Sequence, residues 1–229
     1  MKKYLVFLSM FLFSVANAQQ PLQKKPVPVL LSNGWSLTPI GNSLPLGDLP
    51  LNIAVSSSKK YIAITNNGQS TQSIQLIDAV NKKILSTVEI PKSWLGLKFS
   101  SDEKMLYASG GNDNAILQYA IKNNKLNLQN TIQLGDAWPN RISPTGIEID
   151  DAKKIMYVVT KDNFMLYRIN LATRKIIDSL NLYAEAYTCI LSPDKKQLYI
   201  SLWGGDKLMV YNTQTNKTVQ NISVGDNPL

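Results

Sequence analysis

The feature that most constrains this chain is a strand–turn–strand unit written four times. In the first copy Asn52–Ser56 runs into the polar turn Ser57-Ser58-Lys59-Lys60 and on into Tyr61–Thr65. The second joins Leu97–Ser100 to Met105–Ser109, the third Gly146–Ile149 to Ile155–Val159, and the fourth Thr188–Ser192 to Gln197–Ser201. Tyr61, Tyr107, Tyr157 and Tyr199 recur at intervals of 46, 50 and 42 residues and mark the period. A polar loop, a third run such as Phe164–Asn170, a short turn and a fourth run such as Ile84–Ile90 complete each unit. The runs alternate apolar and polar side chains and are rich in β-branched and aromatic residues, as half-buried strands require. Helical spacing is nowhere sustained. A period of about 40–50 residues with four short strands is the signature of propeller blades. The expected fold is all-β, a β-propeller of four-stranded antiparallel blades over 47–90, 91–134, 135–182 and 183–224.

A second repeat punctuates the first. Leu46-Gly47-Asp48-Leu49-Pro50-Leu51 returns as Val224-Gly225-Asp226-Asn227-Pro228-Leu229, and more loosely as Leu134-Gly135-Asp136-Ala137-Trp138-Pro139-Asn140. Here glycine is expected to permit the crossover between blades, aspartate to bond the backbone two residues on, and proline to set the entry to an inner strand. By this reading residues 225–229 begin a further blade. Residues 29–46 read as the two outer strands of a blade whose inner pair would come from elsewhere. The expectation is an incomplete ring with two uncovered blade faces.

The first eighteen residues hold Lys2 and Lys3, an apolar run from Tyr4 to Val15 and the small-residue triplet Ala16-Asn17-Ala18. That order describes a secretory signal peptide cut after Ala18, with 19–28 as a linker and the product exported to the periplasm or beyond. The apolar run is short against the ~20 residues a spanning helix needs, so no transmembrane anchor is expected after cleavage. Loss of the two lysines lowers the formal net charge from +8 to +6. Lys59, Lys60, Lys104, Lys153, Lys154, Lys195 and Lys196 all fall in the turns between first and second strands, the solvated tips of hairpins. Aromatic residues do not interleave with them as they do in single-strand binders, so nucleic acid is not an expected partner. Cys189, the only cysteine, falls in an inner strand and reads as a small buried hydrophobe.

The loops between second and third strands and the crossovers between blades emerge on the opposite face, where propellers take ligands. Asn112, Asp113, Arg141, Asp162, Trp203 and Asp206 are the candidate binding residues there, for a small molecule, a glycan or a protein. Glycine, asparagine and aspartate are also turn formers, which accounts for Asn66, Asn67, Gly204 and Gly205 without a ligand. One carboxylate per blade, at Asp48, Asp136 and Asp226, is a poor calcium pattern. The chain has no histidine, and it carries no P-loop and no dinucleotide fingerprint. No catalytic residue, metal ligand or cofactor is expected.

The stretch from Ser192 to Pro228, beginning SPDKKQLYIS, resembles the YVTN-type (YncE-like) repeat of bacterial extracytoplasmic β-propellers. Asn33 to Asp78 is similar to the start of secreted bacterial proteins that join such a propeller to an alkaline-phosphatase-like phosphoesterase domain. Ser57-Ser58 and Ser101-Asp102 depart from the Pro-Asp-Gly turn of the repeat. The resemblance implies a ring of about seven blades, a binding or scaffold module without chemistry of its own, and a downstream catalytic domain as one reading of its partner. It transfers no catalytic residue to any position here.

Overall fold

Alternation of buried and exposed side chains converts the four repeats into four meandering sheets. The structure, a computed structural model, describes residues 28–38, 41–136 and 138–228. The expected signal peptide and nearly all of the 19–28 linker lie outside these residues. The chain divides into two compact units, up to Ser43 and from Leu44 onward. In the first, β1 (Val29–Leu30) pairs antiparallel with β2 (Ser36–Leu37), and both strands are exposed.

The second unit is the propeller. Its first blade comprises β3 (Pro50–Val55), β4 (Tyr61–Asn66), β5 (Ser73–Asp78) and β6 (Lys83–Glu89). The second comprises β7 (Leu97–Phe99), β8 (Met105–Ser109), β9 (Ala115–Lys122) and β10 (Lys125–Gln133). The third comprises β11 (Pro144–Asp150), β12 (Ile155–Thr160), β13 (Met165–Asn170) and β14 (Lys175–Asn181). The fourth comprises β15 (Ala186–Leu191), β16 (Gln197–Leu202), β17 (Lys207–Asn212) and β18 (Lys217–Ser223). Every sheet is antiparallel and in chain order, and the first strands neighbour one another, β3 on β7, β7 on β11 and β11 on β15. In all four blades the outermost pair carries a register shift, for instance between Leu76 and Ile77 or Val210 and Tyr211. Such bulges raise the local right-handed twist, which splays the outer edge of each blade.

The core lies between blades rather than inside them. Ile74 and Leu76 of the first blade pack with Phe99 and Leu106 of the second. Ile116 and Ile132 pack with Met156 and Ile169 across the next gap, and Leu166 with Leu198 and Ile200 across the last. Truncating any of these wholly buried aliphatics to alanine costs about 2–5 kcal/mol. Near the axis, each of the first three blades also reaches for the start of the next. Asn52 Nδ2 donates to the Leu95 carbonyl (2.5 Å), Ser109 Oγ to that of Pro144 (2.5 Å) and Thr145 Oγ1 to that of Ala186 (2.8 Å). On the outward sides of the first and fourth blades Ile53 and Ile190 are each 59% exposed.

Three expectations need correction. Tyr61 opens its strand opposite Asp78, whereas Tyr107, Tyr157 and Tyr199 are third in theirs, so the residue in Tyr107's place is Ala63. The hairpin turns show why, since Ser56, Ser100 and Ser192 each accept the backbone N–H five residues on, at Tyr61, Met105 and Gln197. The second correction concerns the Gly-Asp pieces. A Cβ on Gly47 would fall 2.7 Å from the Asn66 side chain, and one on Gly135 2.6 Å from Ile142, so these glycines answer to crowding rather than to positive φ. Asp48 accepts from Ser70 N (3.2 Å) in the neighbouring loop, not from the backbone two residues on. The lysine tips are not all free either. Lys153 and Lys195 converge on the buried Asp150 carboxylate, at 3.8 and 3.2 Å.

Candidate functional site

In an antiparallel meander the turns after first and third strands leave one face, and all other connections leave the opposite one. On that second face, residues 67–72 and 89–94 of the first blade and its crossover, 111–112 of the second, and 143 and 161–162 at the third enclose a cleft of about 900 Å³. That is within the ~300–1,000 Å³ typical of small-ligand sites.

Its far wall is built around Asn114, which is wholly buried and has a left-handed φ of 52°. Its Nδ2 donates to the carbonyls of Asp136 (2.7 Å) and Asn140 (2.9 Å), and its Oδ1 accepts from the N–H groups of Ile142 and Ser143 (both 3.1 Å). The long crossover between second and third blades is therefore wound on one side chain. Ser143 is delivered to the cleft by this hub, itself at φ 51°. The β12–β13 loop is clipped to it, Lys161 N donating to Ser143 O (3.0 Å) and Asp162 N to Ile142 O (3.2 Å). Ser143 Oγ then stands 2.6 Å from Asp162 Oδ2 and 3.2 Å from Asn112 Oδ1. A hydroxyl has one proton, and the short contact to the carboxylate takes it. The Asn112 side chain lies against the same oxygen and has no other side-chain hydrogen bond among the described residues.

The near wall is the crossover Pro91-Lys92-Ser93-Trp94. Ser93 Oγ donates to Asn66 O (3.2 Å) and lies 3.3 Å from Asn67 Oδ1, while Ser93 N donates to Gln72 Oε1 (2.7 Å). These bonds tie the crossover to the first blade's loop. Trp94 is half-buried against the cleft, and its indole Nε1 is buried without an acceptor among the described residues. Lys92 and Lys161 bring positive charge to the walls, Glu89 and Asp162 negative charge.

Of the six sequence candidates, Asn112 and Asp162 line the cleft. Asp113 sits at its edge, 3.7 Å from Lys92 Nζ. Arg141 is turned onto the exposed Trp138 ring, 4.8 Å from its centroid. Trp203 packs on Tyr187 (5.4 Å between centroids) in the fourth blade, outside the cleft. Asp206, at φ 49°, is tied to the segment that follows β18, its carbonyl accepting from Val224 N (3.1 Å) and its Oδ1 from Asn227 N (3.3 Å). Sequence reasoning passed over Lys92, Trp94, Ser143, Lys161 and the hub Asn114. The first two stand in a crossover without a Gly-Asp piece, but so do Leu182–Glu185, and the repeat alone did not single them out.

Cys189 is buried, and desolvation pushes its thiol far up, so it stays protonated and unreactive. No group of three or more histidine, cysteine, aspartate or glutamate residues is placed to hold a metal among the described residues.

No protein-family model matches this chain, and neither does any curated protein. Solved structures do. Hydrazine synthase from Kuenenia stuttgartiensis is similar over 80% of this chain and 51% of its own, with a TM-score of 0.65 and 19% identity. A functionally unknown protein from Desulfotomaculum acetoxidans is similar over 79% of this chain and 59% of its own, with a TM-score of 0.63 and 12% identity. The chain thus spans about half the length of the first structure and under two thirds of the second. At these identities the likeness speaks to fold alone. Fold and likeness together define an all-β propeller of four antiparallel four-stranded blades.

Proposed function

We propose that this propeller is an exported ligand-binding module without chemistry of its own, and that its ligand sits in the cleft of the loop face. The observation that carries this reading is convergence. Loops from three successive blades, fastened through Asn114 and Ser93, surround one polar cleft with unspent amide and carboxylate groups. Rigid walls reduce the ordering cost of binding. The charged n-region, apolar run and Ala16-Asn17-Ala18 support export. The test is thermal unfolding with a panel of polar metabolites, run on the natural chain and on Asn112→Trp, which plugs the cleft from an exposed position. A compound that raises Tm only in the natural chain is the expected result. Stabilisation of both chains alike, or of neither by any compound, rejects the cleft. Mass spectrometry of the exported product should show Gln19 as its first residue.

A second reading draws on the resemblance of Asn33–Asp78, in which the propeller positions substrate for a phosphoesterase domain. On that reading this chain leaves p-nitrophenyl phosphate intact, and a longer form carrying the domain hydrolyses it.

A further inference from the structure

The composition of the cleft narrows its ligand, given the reading above that the cleft is a binding site. Its ionised side chains cancel, Lys92 and Lys161 against Glu89 and Asp162, and Lys92 has Asp113 beside it at 3.7 Å. A site for a phosphate or a polyanion concentrates one sign of charge, and this one does not. Unspent planar groups stand in place of net charge. Among the described residues Asp162 uses Oδ2 on Ser143 and has no partner for Oδ1, and Asn112 shares the same hydroxyl and has no other side-chain hydrogen bond. Both groups are anchored to one oxygen, so an acceptor and an amide pole are held side by side and pre-oriented. Adjacent hydroxyls on a ring are the ligand groups that such a pair engages together.

Across from them the wall is aromatic. Trp94 is half-buried in that wall, and an indole ring suits the apolar C–H face of a pyranose. A peptide ligand asks for a free strand edge or a row of apolar pockets, and the cleft walls are loops and crossovers. We infer that the cleft takes a neutral saccharide, stacked on Trp94 and hydrogen-bonded through Asp162 and Asn112.

The test is isothermal calorimetry on the full chain with cellobiose, maltose and chitobiose, and with inorganic phosphate and glucuronate as anionic probes. The expected result is saturable binding of at least one neutral disaccharide, weakened about tenfold or more in Asp162→Asn and in Trp94→Ala, and abolished in Asn112→Trp. Circular dichroism establishes that each variant is folded, and Asn112, being exposed, supplies a variant independent of the buried hub. Binding of the anions alone, lost in Asn112→Trp, overturns the saccharide assignment and leaves the cleft as the site. Saccharide binding that survives Asn112→Trp overturns the cleft itself. No binding by any of the three disaccharides also overturns the assignment.

Discussion

The two faces of this propeller are made from the same backbone and spend it differently. On the turn face three blades repeat one arrangement almost atom for atom. Ser56, Ser100 and Ser192 each accept the N–H of the residue that opens the second strand, at 3.0 Å in all three. Asp102 and Asp194 accept from the second and third of these hydroxyls, which holds both carboxyls below the usual carboxylate range. Lys59, Glu103 and Lys195 take the left-handed conformation that the turn demands. On the loop face three residues again share one left-handed position ahead of the third strand, Asn114, Phe164 and Asp206; their carbonyls accept the N–H groups of Leu134, Leu182 and Val224, and only their side chains differ in use. Asn114 organises a crossover through four side-chain bonds, Asp206 makes one, to Asn227 after β18, and Phe164 leaves its ring partly exposed. Where a repeat keeps its bonds it builds blades. Where its side chains diverge, the loops differ from blade to blade.

The comparison breaks most readily at Asn114. Asn114→Ala removes four buried hydrogen bonds and should destabilise the protein by about 3 kcal/mol or more, against about 1 kcal/mol for Ser100→Ala on the other face. Urea unfolding measures both, and equal costs would show that the hub carries no more than an ordinary turn. Alkaline pH should have the next largest effect, and it acts on the blades shared by both faces. Desolvation raises the phenols of Tyr107, Tyr119, Tyr157 and Tyr211, with Tyr157 pushed up to about 12 from 10.0. Their neutral forms are favoured in the fold, so this stability is whole below pH 10 and is lost as pH rises toward 12. Tyr157→Phe should blunt that loss, and because the Tyr157 hydroxyl is buried without a partner among the described residues, it should leave stability at pH 7 unchanged or higher by up to about 1 kcal/mol.

Backbone strain separates the faces more finely. Phe164 at φ 59° is a bulky side chain where the second and fourth blades place Asn114 and Asp206. Phe164→Asn should recover about 1 kcal/mol, read as a Tm rise of about 2–4 °C. Lys59→Gly relieves similar strain on the turn face, but the unfolded chain gains freedom, so the net gain should be at most about 0.5 kcal/mol. A larger gain at Lys59 than at Phe164 would reverse the assignment of strain to the loop face.

Much of the fold was legible because blade repeats are local. Alternation marks the strands, and Ser-plus-polar turns mark the hairpins, both within about ten residues. The tyrosine spacing misled at one end, since Tyr61 matches its counterparts in type but stands two places earlier in its strand. Bonding from Ser56 to Tyr61 sets the register, and that is a contact rather than a letter. The Gly-Asp pieces misled about cause in the same way. Gly47 is small because Asn66 comes against it, nineteen positions along the chain.

The cleft was legible only as a face. Asn112 and Asp162 could be nominated because they lie in the right class of loop, but so do Trp203 and Asp206, which serve the fourth blade. By itself the sequence determined the strand period, the antiparallel blades and which connections share a side, because each depends on neighbours within one blade. Tertiary structure alone decided that Ser143 would bridge Asn112 and Asp162 and that Trp94 would face them. Those contacts join three blades, and their geometry depends on how the sheets twist and pack around the axis.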